Sequence, residues 1–101
     1  MVNKLFPDGA AIVFGGSGGI GRGVAMQLAE AGSDVAIVYR SKREVAEQAA
    51  EAIRATGRQA SIHQVDVRDK LQIDGVIADV INGHGRVHTV VWGGRAGRSA
   101  G

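Results

Sequence analysis

The residues best placed to do chemistry are Gly15-Gly16-Ser17-Gly18-Gly19-Ile20-Gly21, which interrupt an apolar run, Ala10-Ala-Ile-Val-Phe14, and open onto a helical pattern. A backbone that turns sharply, approaches a phosphate closely and offers N–H groups at a helix N-terminus excludes Cβ atoms, so glycine collects there. The chemistry implied is binding of the pyrophosphate of a dinucleotide. Two registers fit: Gly16, Gly18 and Gly21 as GxGxxG, or Gly15, Gly19 and Gly21 as GxxxGxG. A purely structural glycine-rich turn is the bland alternative. Context weighs against it, because a strand precedes the run, a helix follows, and a second strand ends about 20 residues on.

The end of that second strand selects among dinucleotides. An NAD site places a carboxylate there to accept from the ribose 2′-OH, and the same carboxylate would repel a 2′-phosphate. This chain has Tyr39, Arg40 and Ser41. Arg40 can give phosphate a bidentate contact, with Ser41 and Lys42 beside it, so NADP(H) is expected in preference to NAD(H). On the other reading Arg40, Lys42 and Arg43 are a solvated first helical turn, where cations oppose the macrodipole. His63, His84 and His88 share no metal-ligand spacing, and the absence of cysteine removes disulfides and thiolate chemistry. No metal site is assigned. Trp92 is read as strand-end packing.

Regular elements must position these groups. Residues 10 to 14 form an apolar strand of the kind buried on both faces. Ile20, Val24, Leu28 and Ala31 recur at helical spacing until Gly32 stops the helix. Val35 to Tyr39 is the next strand. Ser41 to Glu44 reads as a capping box, followed by an inner face of Val45, Ala49, Ala52, Ile53 and Thr56 and a stop at Gly57. Ala60 to Val65 alternates like an edge strand. A helix capped by Asp69 carries Ile73, Val76, Ile77, Val80 and Ile81 on one face and closes at Gly83 and Gly85, although Gly75 inside it costs roughly 1 kcal/mol. Val87 to Trp92 is a last strand. Strict β-α alternation predicts a parallel sheet, an α/β, three-layer Rossmann-type arrangement that is partial: four strands in the order 3-2-1-4 with three helices. The nucleotide-binding unit is then residues 1–92, and residues 93–101 are a Gly/Arg-rich tail without apolar period.

Composition agrees with a single soluble α/β domain: 101 residues, 45% hydrophobic, 22% charged, net charge +2. So small a surplus does not argue for nucleic acid, and the tail arginines Arg95 and Arg98 have no aromatic residue between them to stack bases. No segment reads as a membrane span or secretory signal, so a cytoplasmic location is expected.

The run Val13-Phe-Gly-Gly-Ser-Gly-Gly-Ile-Gly-Arg22, the segment Val35 to Ser41, the Asp66-Val67 pair and the strand ending at Trp92 together resemble the N-terminal half of the short-chain dehydrogenase/reductase superfamily, especially 3-oxoacyl-[acyl-carrier-protein] reductase-like members. The resemblance covers residues 8 to 92. The family's TGxxxGIG pattern favours the Gly15, Gly19, Gly21 register, with Phe14 where the family has threonine. It implies that Ser17, Gly18 and Ile20 line the pyrophosphate and ribose, Ile20 also being read as core. It further implies that the Asp66 carboxylate and the Val67 amide meet adenine, where the alternative is an aspartate serving local amides. The family's NNAG motif is replaced by Trp92-Gly93-Gly94-Arg95, which leaves Gly93 as the small residue against the cofactor.

The family's reduction of a carbonyl by hydride transfer needs a tyrosine, a lysine four residues later and a serine. The single tyrosine, Tyr39, lies at the cofactor end with Arg43 four residues on, so no catalytic residue is assigned. The expectation is an NADP(H)-binding, truncated oxidoreductase whose catalytic half lies beyond residue 101, with a non-catalytic module docking on a full-length relative as the alternative. Its apolar side chains on strands 1 and 4 are expected to be exposed and to favour homo- or hetero-oligomers.

Overall fold

The computed structural model describes residues 9–15, 19–66 and 68–92. Strands β1 (Ala10–Phe14), β2 (Asp34–Tyr39), β3 (Ala60–Gln64) and β4 (Val87–Trp92) alternate with helices α1 (Gly19–Glu30), α2 (Arg43–Arg54) and α3 (Lys70–His84). All pairings are parallel and the order is β3-β2-β1-β4, as the alternation requires. Successive residues of a strand point to opposite faces. Val13, Val35, Ile37 and Tyr39 therefore meet α1 and α2, while Ile12, Phe14, Ala36 and Val38 lie on the side of α3.

Two adjustments to the expected packing concern the helices. On α1 the innermost residues are Gly21, Ala25 and Ala29, with Val24 and Leu28 half-buried beside them. On α2 they are Ala46, Ala49, Ala50 and Ile53, so Val45 sits at the margin and Thr56 is exposed. In both helices alanines occupy the line of closest approach, because small side chains let a helix sit low on a sheet. Larger apolar residues flank them and fill the sides.

The Ser41–Glu44 capping box does not form. The first helical bond of α2 runs from the Ala46 amide to the Lys42 carbonyl at 3.1 Å, which makes Lys42 the N-cap, without a side-chain cap bond. Ser41 then stands one position too early and Glu44 one position too early to reach back. The cap at Asp69 is as expected, its carboxylate accepting from the Leu71 amide at 3.0 Å. At the start of β1, Gly9 has φ +114°, and a Cβ there would collide with Arg86, whose carbonyl accepts from the Ala10 amide at 2.9 Å.

The exposure expected for strand 1 is also corrected: every residue of β1 is buried. Helices cover both of its faces and strands flank both of its edges. Among the described strand residues, large apolar groups are open on β4 alone, Val90 at 45% and Trp92 at 48% exposed, and both lie on the α3 side in register with Ile12 and Phe14. Among the described residues no helix is long and apolar enough to cross a membrane.

Candidate functional site: the carboxyl ends of the strands

At the carboxyl end of β1 the chain turns through Gly15, whose φ of +79° belongs to the left-handed region that glycine enters without strain. Its amide donates to the Val38 carbonyl at 2.8 Å, so the turn is fastened to β2 as it leaves the sheet. Helix α1 begins at Gly19, and Gly21 is buried in its first turn. That turn carries no acidic residue. The first amides of a helix have no intrahelical acceptor, and here no carboxylate of their own helix competes for them. Gly15, Gly19 and Gly21 thus occupy a tight turn, a helix start and a buried position in the first helical turn. Ser17, Gly18, Val67 and Gly93 lie outside the described residues, as does the side chain of Ile20.

The neighbouring strand ends bring charge to the same rim. Arg40 and Ser41 follow β2 and are exposed. The Gln64 amide group donates to the Arg40 carbonyl at 3.0 Å, and the Val65 amide to the Tyr39 carbonyl at 2.9 Å, which ties the ends of β2 and β3 together. Asp66 follows, its amide donating to Gln72 Oε1 at 2.9 Å.

The Asp66 carboxylate is engaged on both oxygens by a residue that sequence reasoning did not single out. Arg68 Nε donates to Oδ1 at 3.1 Å, Arg68 Nη2 to Oδ2 at 3.0 Å, and the Arg68 amide to Oδ1 at 2.9 Å. These bonds favour the charged form and hold the Asp66 carboxyl at about 2, with Arg40 adding to the positive field. The local signal was present as Asp66-Val-Arg68, a spacing that lets a side chain reach back across a turn.

Trp92 packs at a strand end as expected, and its partner is specific. The ring stacks on Phe14 with centroids 4.2 Å apart and planes 14° from parallel. Both are last residues of strands that the order makes neighbours, and Phe14 stands where the family has threonine. Of the three histidines, the fold brings His63 and His84 together and leaves His88 apart. Ser61 Oγ lies between His63 Nε2 at 2.9 Å and His84 Nε2 at 3.0 Å, on the α3 side of β3, where His63 borders a cleft of about 250 Å³ with Gln72, Val76 and Asp79. His88 is 3.1 Å from the buried Ser33 hydroxyl at the opposite end of the sheet. No group of residues that could hold a metal ion is found among the described residues.

The sequence model of the family described as short chain dehydrogenase matches residues 9–99. The 3-oxoacyl-[acyl-carrier-protein] reductase FabG of Staphylococcus aureus is 38% identical over 82 residues, covering 81% of this chain and 33% of that protein. The short-chain dehydrogenase/reductase homolog YusS of Bacillus subtilis is 37% identical over 91 residues, covering 90% of this chain and 79% of that protein. Among solved structures, an NAD+-bound xylitol dehydrogenase superposes with a TM-score of 0.80 at 29% identity, over 86% of this chain and 33% of that one. The NADPH-dependent 3-quinuclidinone reductase of Rhodotorula rubra gives 0.76 at 33% identity, over 81% of this chain and 31% of that one. The chain therefore spans about a third of the length of FabG and of both solved enzymes. A match over most of the chain, on a parallel sheet of the expected order with its glycine turn after the first strand, shows that the chain belongs to the short-chain dehydrogenase family.

Proposed function

We propose that these residues form the NADP(H)-binding portion of a carbonyl-reducing oxidoreductase. The observation that carries the reading is Arg40: an exposed guanidinium stands at the end of β2, where selection for the free ribose hydroxyl calls for a carboxylate, beside the Gly15 turn that is bonded to the same strand. The turn, the start of α1 and the buried Gly21 suit a pyrophosphate that needs close backbone approach and unopposed amides. Arg40 and Ser41 would take the 2′-phosphate, and Asp66 the exocyclic amine of adenine. The dinucleotide, when bound, supplies the hydride. What this chain's own residues do is bind and orient it, since Tyr39 is buried in the core at the end of β2 and is followed by Arg43 where the proton-transfer pair would need lysine.

Solved structures of an NAD+-bound and an NADPH-dependent enzyme share this architecture, so the test compares both cofactors. Calorimetric titration of the 101-residue chain is expected to show NADPH binding tighter than NADH, with no carbonyl reduction by the same sample. Turnover, or a preference for NADH, would overturn the reading. A second reading, a non-catalytic NADP-responsive module that docks on a full-length relative, is favoured by Val90 and Trp92 standing exposed on β4. It requires a cofactor-dependent complex with that relative, which size-exclusion chromatography of the mixture would detect.

A further inference from the structure

The carboxylate that the adenine role requires is already occupied. Arg68 grips Asp66 with a two-point fork and adds its backbone amide, leaving neither carboxylate oxygen unengaged. The pair is nevertheless open to solvent, with side-chain exposures of 73% for Arg68 and 36% for Asp66. Water screens an exposed ion pair of this kind, so exchanging its partner costs little. The only other carboxylate in this turn, Asp69, is turned toward the Leu71 amide and the Gln72 side chain at 3.0 and 3.2 Å. Arg40 lies close enough to act on Asp66 electrostatically. The carboxyl ends of β2 and β3 therefore bring together Arg40, Arg68 and Asp66, two guanidinium groups beside the one carboxylate that the adenine role needs.

We propose that Arg68 is a second specificity-determining residue for the 2′-phosphate, which draws the guanidinium off Asp66 and so frees that carboxylate to accept from the adenine amine. The inference rests on the dinucleotide reading above. A guanidinium fork fits phosphate oxygens as well as carboxylate oxygens, and a phosphate dianion is the stronger partner. One exchange thus does two things: it adds a cation to the phosphate and releases an acceptor for the base. A cofactor without the 2′-phosphate triggers neither and meets Asp66 still paired. The selectivity of the site then arises partly from a contact broken within the protein.

The test measures NADPH and NADH affinity calorimetrically for the full chain and for Arg68→Gln, Arg68→Lys and Asp66→Asn. Loss of a charge-assisted contact is expected to weaken NADPH binding by R68Q roughly tenfold or more, while NADH binds more tightly because Asp66 is then free for the adenine amine. R68K, which keeps the charge without the fork, falls between and carries the test should R68Q not fold. D66N weakens NADPH binding and leaves NADH unchanged, because only the cofactor with the 2′-phosphate frees that carboxylate for the adenine amine. Equal weakening of both cofactors by R68Q would overturn the proposal, as it would mean that Arg68 only holds Asp66 in place. Unchanged binding of both would also overturn it. Failure of the wild-type chain to bind either dinucleotide would instead remove the reading on which it rests, and the proposal with it.

Discussion

The two faces of this sheet are closed in different ways. On one, α1 and α2 lower five alanines, Ala25, Ala29, Ala46, Ala49 and Ala50, onto Val13, Val35, Ile37 and Tyr39, with Ile53 filling the space between; all are buried. On the other, α3 alone contributes two buried side chains, Val76 and Val80, and Ile81 on the same helix is 43% exposed. That second face also holds the polar cluster of Ser61, His63 and His84, and it ends at Val90 and Trp92, half in solvent. The first face is a finished core. The second holds the sheet together near β1 and leaves β4 with apolar surface that its own helices do not reach.

Substitutions should register this asymmetry. Ile53→Ala removes a side chain with 0% exposure from the closed face and is expected to cost about 2–5 kcal/mol, against a total on the order of 5–15 kcal/mol for a domain of this size. Val80→Ala, also at 0% exposure, deletes less volume beneath a single helix and should cost about 2 kcal/mol. Urea unfolding monitored by circular dichroism measures both, and a larger loss for V80A would reverse the ranking of the two faces. Trp92→Ser should be milder still, about 1 kcal/mol, because it removes one stacked pair from a half-exposed site. The same variant should bind less of a hydrophobic dye than the wild type, since Trp92 is part of the exposed patch. A cost equal to that of I53A would show the end of β4 to be closed core.

Much of this was legible in the sequence because the signals were local. The strand order followed from alternation, the stops at Gly32 and Gly85 from the left-handed φ of +107° and +93° that they adopt, and the α3 cap from Asp69. What escaped depended on distances between elements. The buried line of α2 could not be read from side-chain size, because closeness to the sheet favours Ala46 and Ala50 over the larger Val45. The capping box failed by one residue, a shift set by where the chain leaves β2. For the candidate site, glycine spacing and the basic end of β2 marked the rim. Arg68 did not stand out, since its role arises from a turn that folds its side chain back over Asp66. The stack of Phe14 on Trp92 joins residues far apart in sequence, and only the β1–β4 register brings them together.

The smallest expected effect is a pH dependence to which the α3 face contributes through His63. Burial lowers the pKa of His63 below its ordinary 6.5; Asp79 opposes that shift and His84 reinforces it. The neutral form is therefore favoured in the fold, and the unfolded chain binds more protons as the pH drops through 6.5. Stability contributed by neutral His63 is present above that pH and is lost progressively below it, until the folded-state histidine itself takes up the proton. His88 is shifted in the same direction by burial and by Arg86, so the wild-type chain reports both residues. The difference between wild type and His63→Asn isolates the α3 face. Urea midpoints measured from about pH 7.5 to about pH 5 should fall less steeply for H63N than for the wild type, and parallel curves would show that the polar cluster does not couple to folding. Because Ser61 lies within 3.0 Å of both His63 and His84, Ser61→Ala should also alter this slope, while substitutions on the α1/α2 face, which has no histidine in its buried core, should shift the midpoint and leave the slope as it was.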